Sequence, residues 1–220
     1  MDIILIAVQD EAIQPLAQSL VGKVSSRHTI LHLSGVLDSS ALAPLSGSGA
    51  ALGSFHPLQT FTDPESAASR LRGSVASVEG DPRAIAVASD LARCLGMRPV
   101  PIAREAKVRY HAGAVFASNY VVAVAEVARQ ILADAGLPPE SAWQGLQGLL
   151  RGTFESLQQG LPEQALTGPI SRGDAATVRK HLALLSGEQA ALYRTLGRVC
   201  AGLADLDSEK RRAIEAALAD

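Results

Sequence analysis

Residues 3–8, Ile-Ile-Leu-Ile-Ala-Val, form an apolar run with no polar alternation, the pattern of a strand buried on both faces of a helix-covered parallel sheet. A helix is predicted over 11–20, a strand over 29–33, a short helix near 39–45 and a strand over 51–55. A further strand over 74–78 leads to a helix over 82–95, stopped by Gly96, and a last short strand spans 98–102. Strands alternating with helices over this stretch predict an α/β domain. After Ile102 the pattern changes. Residues 104–135 read as one long helix ended by Gly136 and the pair Pro138-Pro139, about 48 Å long at ~1.5 Å per residue. Further helices are predicted over 140–158, 174–185, 188–204 and 208–219, with Asp174 and Ser208 as cap residues. The predicted fold is therefore α/β followed by all-α, with residues 1–103 and 104–220 as the two domains and no flexible linker between them.

The first strand raises a problem of pairing. An apolar strand belongs inside a sheet, yet this one opens the chain and has no upstream neighbour, and an exposed apolar edge invites pairing. Either later strands flank it on both sides, or the natural protein begins further upstream; the second is the expectation. Composition adds little that would change the class. Hydrophobic residues make up 47 % and aromatic ones 4 %, so the core is built from Ala, Leu, Val and Ile. A net charge of −2 gives no electrostatic reason to bind nucleic acid or anionic lipid. Cys94 and Cys200 lack ligand-type spacing, and the N-terminus has no signal-peptide pattern, so a reducing cytoplasm is expected. The long apolar segment 115–137 is interrupted by Asn119, Glu126, Arg129 and Asp134, which argues against a membrane span.

Several segments carry a resemblance. They are Ile-Ala-Val-Gln-Asp (6–10), His32-Leu-Ser-Gly35, Gly53-Ser-Phe-His-Pro-Leu-Gln-Thr-Phe61, Ala106-Lys-Val-Arg-Tyr-His111 running into Phe116-Ala-Ser-Asn119, and Leu166-Thr-Gly-Pro-Ile-Ser-Arg-Gly-Asp174. In that order they resemble the Rossmann-like oxidoreductases with a C-terminal helical domain of unknown function (domain-of-unknown-function family 2520). That family is similar in layout to pyrroline-5-carboxylate reductases, ketopantoate reductases and 6-phosphogluconate dehydrogenases. The resemblance implies a partial Rossmann-like parallel sheet, a truncated NAD(P)-binding domain over 1–103, and a substrate-binding and dimerising helical domain over 104–220. Family members open with a strand, a Gly-x-Gly-x-x-Gly turn and a helix that binds the pyrophosphate. This chain begins after that unit. Its Gly47-Ser-Gly49-Ala-Ala-Leu-Gly53 follows a helix and precedes a strand, the reverse of the required order. NADP or NAD binding is accordingly expected to be weak or absent in this chain.

The resemblance places the turn Val8-Gln9-Asp10 beside the cofactor and Ser34-Gly35 near its nicotinamide. Asp10 equally suits a helix cap, and Gly35 a tight turn. Lys107, His111, Ala114 and Ser118 form one stripe at about 100° per residue on a helix otherwise rich in Ala and Val. Related dehydrogenases carry a substrate-contacting Lys with Asn four residues later; here His111 stands in the Asn position. Lys107 and His111, with His56 at a strand end, are the catalytic candidates, since Lys and His can bond or protonate a carbonyl oxygen. A solvated helix face and a loop-holding histidine are the plainer alternatives. Gln59, Ser118, Asn119 and Arg172 are the candidate substrate contacts. Arg172 suits a bidentate carboxylate clamp as well as a surface ion pair, and Asp174 a helix cap. His28 and His32, roughly 13 Å apart along a strand, cannot share a metal, and no metal is expected.

The leading expectation is an NAD(P)-dependent oxidoreductase that transfers hydride to a small carbonyl or imine in an interdomain cleft, assembled as a homodimer through the helical domain. The alternative is a non-catalytic helical association module with a degenerate nucleotide domain.

Overall fold

A computed structural model describes residues 2–219, together with all side chains in that range except those of Pro64 and Ser66. Two compact units divide between Val122 and Ala123. The change from strands to helices falls earlier, after β5, so the first unit also takes in the residues up to 122.

The first unit holds a five-stranded sheet of β1 (Asp2–Ile6), β2 (His28–His32), β3 (Ala51–Pro57), β4 (Val75–Gly80) and β5 (Arg98–Pro101), in that spatial order. The sheet is mostly parallel, but β4 runs antiparallel to β3. The expected Rossmann-like parallel sheet is present, and the reversal of β4 has a local reason. The chain leaving β3 stays at one end of the sheet, where Leu58 N–H donates to Val75 C=O at 2.8 Å, so β4 has to run back. Between them lies a helix that the sequence pattern did not predict, α2 (Pro64–Leu71).

β1 lies at the sheet edge and pairs with β2 alone among the described residues, so later strands do not flank it on both sides. Its burial is one-sided. Ile6 is buried under α1 (Asp10–Ser19), whose Ile13 and Ala17 face the core, while Ile3 and Leu5 stay 43 % and 47 % exposed. On the opposite face α3 (Pro82–Cys94) covers β2, β3 and β4 through Ala84, Ala88 and Ala92, packed on Leu31, Phe55 and Val78. Small alanines let the helix approach the sheet closely, which suits a core poor in aromatics.

The stretch expected as one helix over 104–135 is interrupted. A 3₁₀ turn over Arg104–Ala106 leads into α4 (Lys107–Ala117), and α5 (Asn119–Asp134) starts anew after Ser118, at φ −127° and ψ −72°. The Ser118 hydroxyl lies 3.0 Å from Ala114 C=O and 2.9 Å from Asn119 Oδ1, side-chain bonding that competes with the helix ladder. By length and composition alone Arg104–Asp134 would cross a membrane. Its first turn is instead built into the α/β unit, because the Lys107 ammonium is hydrogen-bonded there.

The second unit is helical: the rest of α5, then α6 (Pro139–Gln159), α7 (Pro162–Ala165), α8 (Pro169–Arg172), α9 (Ala175–Leu184), α10 (Gly187–Leu203) and α11 (Ser208–Ala217). Ile170, Val178, Ala201, Ile214 and Leu218 form its core. Asp174 caps α9, its carboxylate accepting from Thr177 N–H at 3.0 Å. At α11 the cap is Asp207, which accepts from Glu209 and Lys210 N–H, and Ser208 is the first helical residue instead.

Candidate functional site

Three stretches of the first unit meet at the end of the sheet where β2 and β3 finish. After β2 the chain turns at Ser34-Gly35, where the Ser34 hydroxyl accepts from Leu37 N–H at 3.0 Å and Val36 N–H at 3.3 Å. β3 delivers His56 at its penultimate position, and α4 brings Lys107, Tyr110 and His111. Gly35 is the point of closest approach. A Cβ there would lie 2.6 Å from His111 Cδ2 and 2.8 Å from His56 Nε2, so only glycine lets both rings lie against the turn. The His56 and His111 rings are 6.3 Å apart, centre to centre, and His56 Nδ1 shares a 2.9 Å hydrogen bond with the Tyr110 hydroxyl.

Beneath these rings lies a buried polar network. Lys107 is 1 % exposed, and its ammonium donates to Ser34 C=O at 2.9 Å and to Ser54 Oγ at 3.2 Å. The Ser54 hydroxyl in turn donates to Glu79 Oε2 at 3.3 Å. Glu79, itself buried, accepts from Ser39 N–H at 2.7 Å and Ser39 Oγ at 2.8 Å, and Arg104 Nε lies 3.7 Å from its Oε1. Lys107 and Glu79 are thus opposite charges joined through one hydroxyl. Burial still dominates for the amine and lowers its pKa to about 8, while Glu79, Asp38 and Asp10 pull it upward. His56 is lowered to about 4 by burial, and by the nearby positive charges of Lys107 and His111, so its imidazole is neutral near pH 7. Burial raises the Tyr110 phenol, which therefore holds its proton.

Above the network opens a cavity of about 600 Å³. His56, Gln59, Thr60 and Phe61 form one wall, and Tyr110, His111, Ser118 and Asn119 form part of the other. Of the residues singled out in the sequence, His56, Gln59, His111, Ser118 and Asn119 line this cavity, and Ser34 and Gly35 sit against it through the two histidines. Lys107 belongs to the stripe, but its ammonium points into the sheet end and it does not line the cavity. Val8, Gln9 and Asp10 are exposed around the start of α1, also away from the lining. Asp10 is the first residue of α1, and the preceding Gln9 makes no side-chain capping bond. Arg172 is exposed at the end of α8 in the second unit.

Tyr110, Ser54, Ser39 and Glu79 were missed. Glu79 had a signal: it is the one charge in the otherwise strand-like Val75–Gly80, where a carboxylate must find partners if the strand is buried. Ser54 and Ser39 had none, because their partners lie 25 and 40 residues away.

Comparison with known proteins fits this architecture. No curated protein matches the chain. Among solved structures, protein TM1727 from Thermotoga maritima is 27 % identical, over 93 % of this chain and 79 % of that one, with a TM-score of 0.79. Protein BF3122 from Bacteroides fragilis, provisionally named an NADP oxidoreductase, is 23 % identical over 91 % of this chain and 75 % of its own, at a TM-score of 0.70. Plasmodium falciparum pyrroline carboxylate reductase, with NADP bound, is 15 % identical over 99 % and 74 %, at 0.56. At these identities the last two show the fold alone: a Rossmann-like α/β unit followed by a helical one. The family model described as Domain of unknown function (DUF2520) matches residues 74–200, more than half of the chain, and the chain belongs to that family.

Proposed function

We propose that this protein is an NAD(P)-dependent oxidoreductase, or the substrate-binding and dimerising portion of one, which reduces a small carbonyl or imine in the cavity beside His56 and His111. The observation that carries the reading is the seating of Ser34-Gly35 against both histidines at the cavity wall. Strand ends of an α/β sheet are where ligands bind, and two independent elements bring proton-handling groups to that point. The likeness to a reductase with NADP bound supports the same reaction class.

The residues present fit one end of a dinucleotide. Gly35 leaves room that a Cβ would fill, and the neutral His56 beside it suits an uncharged planar ring. They do not fit the pyrophosphate. The exposed start of α1 carries Asp10 and Glu11, which repel phosphate, and Gly47–Gly53 runs from a 3₁₀ helix into β3. A cofactor bound at the Gly35 end would supply hydride. The chain's own groups orient the substrate: His111, Asn119 and Thr60 offer hydrogen bonds, and Leu58, Phe61 and Val115 cover its apolar part. Lys107 acts from beneath, fixing the Ser34 turn and α4 to each other.

Assembly is proposed as a homodimer through residues 104–220. Val108, Phe116 and Val122 on the first unit, and Leu149, Leu161 and Leu184 on the second, are apolar and well exposed. Such surface favours a symmetric partner. The experiment that tests the reading is NADPH-dependent reduction of a panel of small carbonyls and cyclic imines. Asn119→Ala and Gln59→Ala should raise KM for any substrate turned over, and unchanged kinetics in both would place the substrate elsewhere.

A further inference from the structure

We infer that the cavity beside His56 and His111 selects an uncharged, ring-bearing carbonyl or imine compound and rejects carboxylates. The inference rests on the oxidoreductase reading above and narrows its substrate class. It leads away from the carboxylate in the name of the pyrroline carboxylate reductase that shares the fold.

The pattern of charge carries the argument. Among the described residues, no lysine, arginine, aspartate or glutamate lines the cavity. Burial holds the His56 imidazole neutral and keeps the Tyr110 phenol protonated. The cations around the site are engaged elsewhere. Lys107 donates to Ser34 C=O and Ser54 Oγ beneath the lining. Arg104 Nε lies 3.7 Å from both Asp38 Oδ1 and Glu79 Oε1, so two carboxylates match the two cations of the network. Arg70 donates to Thr60 C=O at 3.3 Å and stays outside the lining. Asp10 acts on His56 as a further negative charge, which opposes an anion again. A carboxylate entering here gives up water for a wall with no cation to receive it, a cost that an amide of the same shape does not carry.

Shape and free hydrogen-bonding groups describe the occupant that remains. The cavity of about 600 Å³, bounded by the rings of His56, Phe61, Tyr110 and His111, has room for one ring with its substituents. Asn119 Oδ1 lies 2.9 Å from the Ser118 hydroxyl, which leaves its Nδ2 hydrogens for a ligand oxygen. His111 makes no hydrogen bond among the described residues and offers a second partner on the same wall. It is also the side chain there that a proton could still charge, so the comparison belongs at about pH 8, at the top of the usual imidazole range.

The test needs no cofactor. The full chain, labelled at histidine, is titrated by NMR with para-acetylbenzamide and with para-acetylbenzoate, which differ in charge and hardly in shape. The amide should move the His56 and His111 ring resonances with a Kd at least about tenfold below that of the benzoate. Asn119→Lys places a cation at the exposed start of α5 and should strengthen benzoate binding severalfold while leaving the amide little changed. Benzoate binding as tight as the amide in the unaltered protein overturns the inference and leaves the oxidoreductase reading standing. Silence of both histidines towards both compounds at tens of millimolar overturns it as well, and so does a benzoate affinity that ignores Asn119→Lys. Amide-selective binding without NADPH-dependent turnover of any carbonyl or imine supports the selectivity and removes the oxidoreductase reading instead.

Discussion

Replacing Lys107 by Met tests the buried network through its pH dependence. The amine is 1 % exposed, and its pKa is lowered from 10.5 to about 8 because burial opposes the charge more than Glu79 and Asp38 favour it. The sign follows from proton counting. Between pH 8 and 10.5 the unfolded chain holds a proton on this lysine that the folded chain has lost, so folding stability rises with pH across that window. The displacement corresponds to about 3 kcal/mol, fully gained above pH 10.5 and absent below pH 8. Methionine keeps the volume and removes the titration. It leaves Ser34 C=O and Ser54 Oγ without their donor, a cost of about 1–3 kcal/mol each. Near pH 7 that cost is largely offset, because the wild type carries the penalty of a buried charge; near pH 10.5 it is not. Urea unfolding of both proteins from pH 7 to 10.5 should therefore show the destabilisation by Lys107→Met growing by about 3 kcal/mol, with the titration of all other groups cancelling in the difference. A difference that stays constant with pH would mean that the amine is solvated, and would remove the network from the account.

Other consequences are direct. Gly35→Ala forces the His56 and His111 rings off the turn, costing about 1–3 kcal/mol in thermal or urea unfolding and moving both imidazole resonances; unmoved resonances would contradict the packing. NADPH should bind this chain more weakly than micromolar in calorimetry, since the start of α1 carries Asp10 and Glu11, which repel phosphate, and micromolar or tighter binding would refute that. Light scattering should give twice the 22.9 kDa chain mass, and a concentration-independent monomer would refute the proposed dimer.

Much of the fold was written in local pattern. All five strands, and all four predicted helices after residue 135, start and end within two residues of their predicted places, because their apolar spacing and the Gly, Pro and Asp punctuation are local signals. The break at Ser118 was hidden because serine is tolerated within helices. What defeats the helix there is side-chain competition for Ala114 C=O. The antiparallel β4 was hidden because its direction depends on where the Pro57–Val75 connection lies, not on the strand's own residues. At the site, His56, Ser34-Gly35 and His111 were legible from strand-end position and helical spacing, and the structure brings them together at Gly35. Lys107 was legible as part of the stripe, but its direction was not: a lysine turned inward needs Ser54 and Glu79, and those partners are set by sheet register.

The central claim is that a nicotinamide delivers hydride to a substrate in the cavity bounded by His56, Tyr110 and His111. Its most direct test uses millimolar NADPH deuterated at the transferring C4 position, offered with small carbonyls and cyclic imines, with the products read by mass spectrometry. The account predicts deuterium on the reduced carbon of at least one product. NADPH that perturbs the Gly35 and His56 resonances on binding, yet transfers no label to any member of the panel, would contradict it.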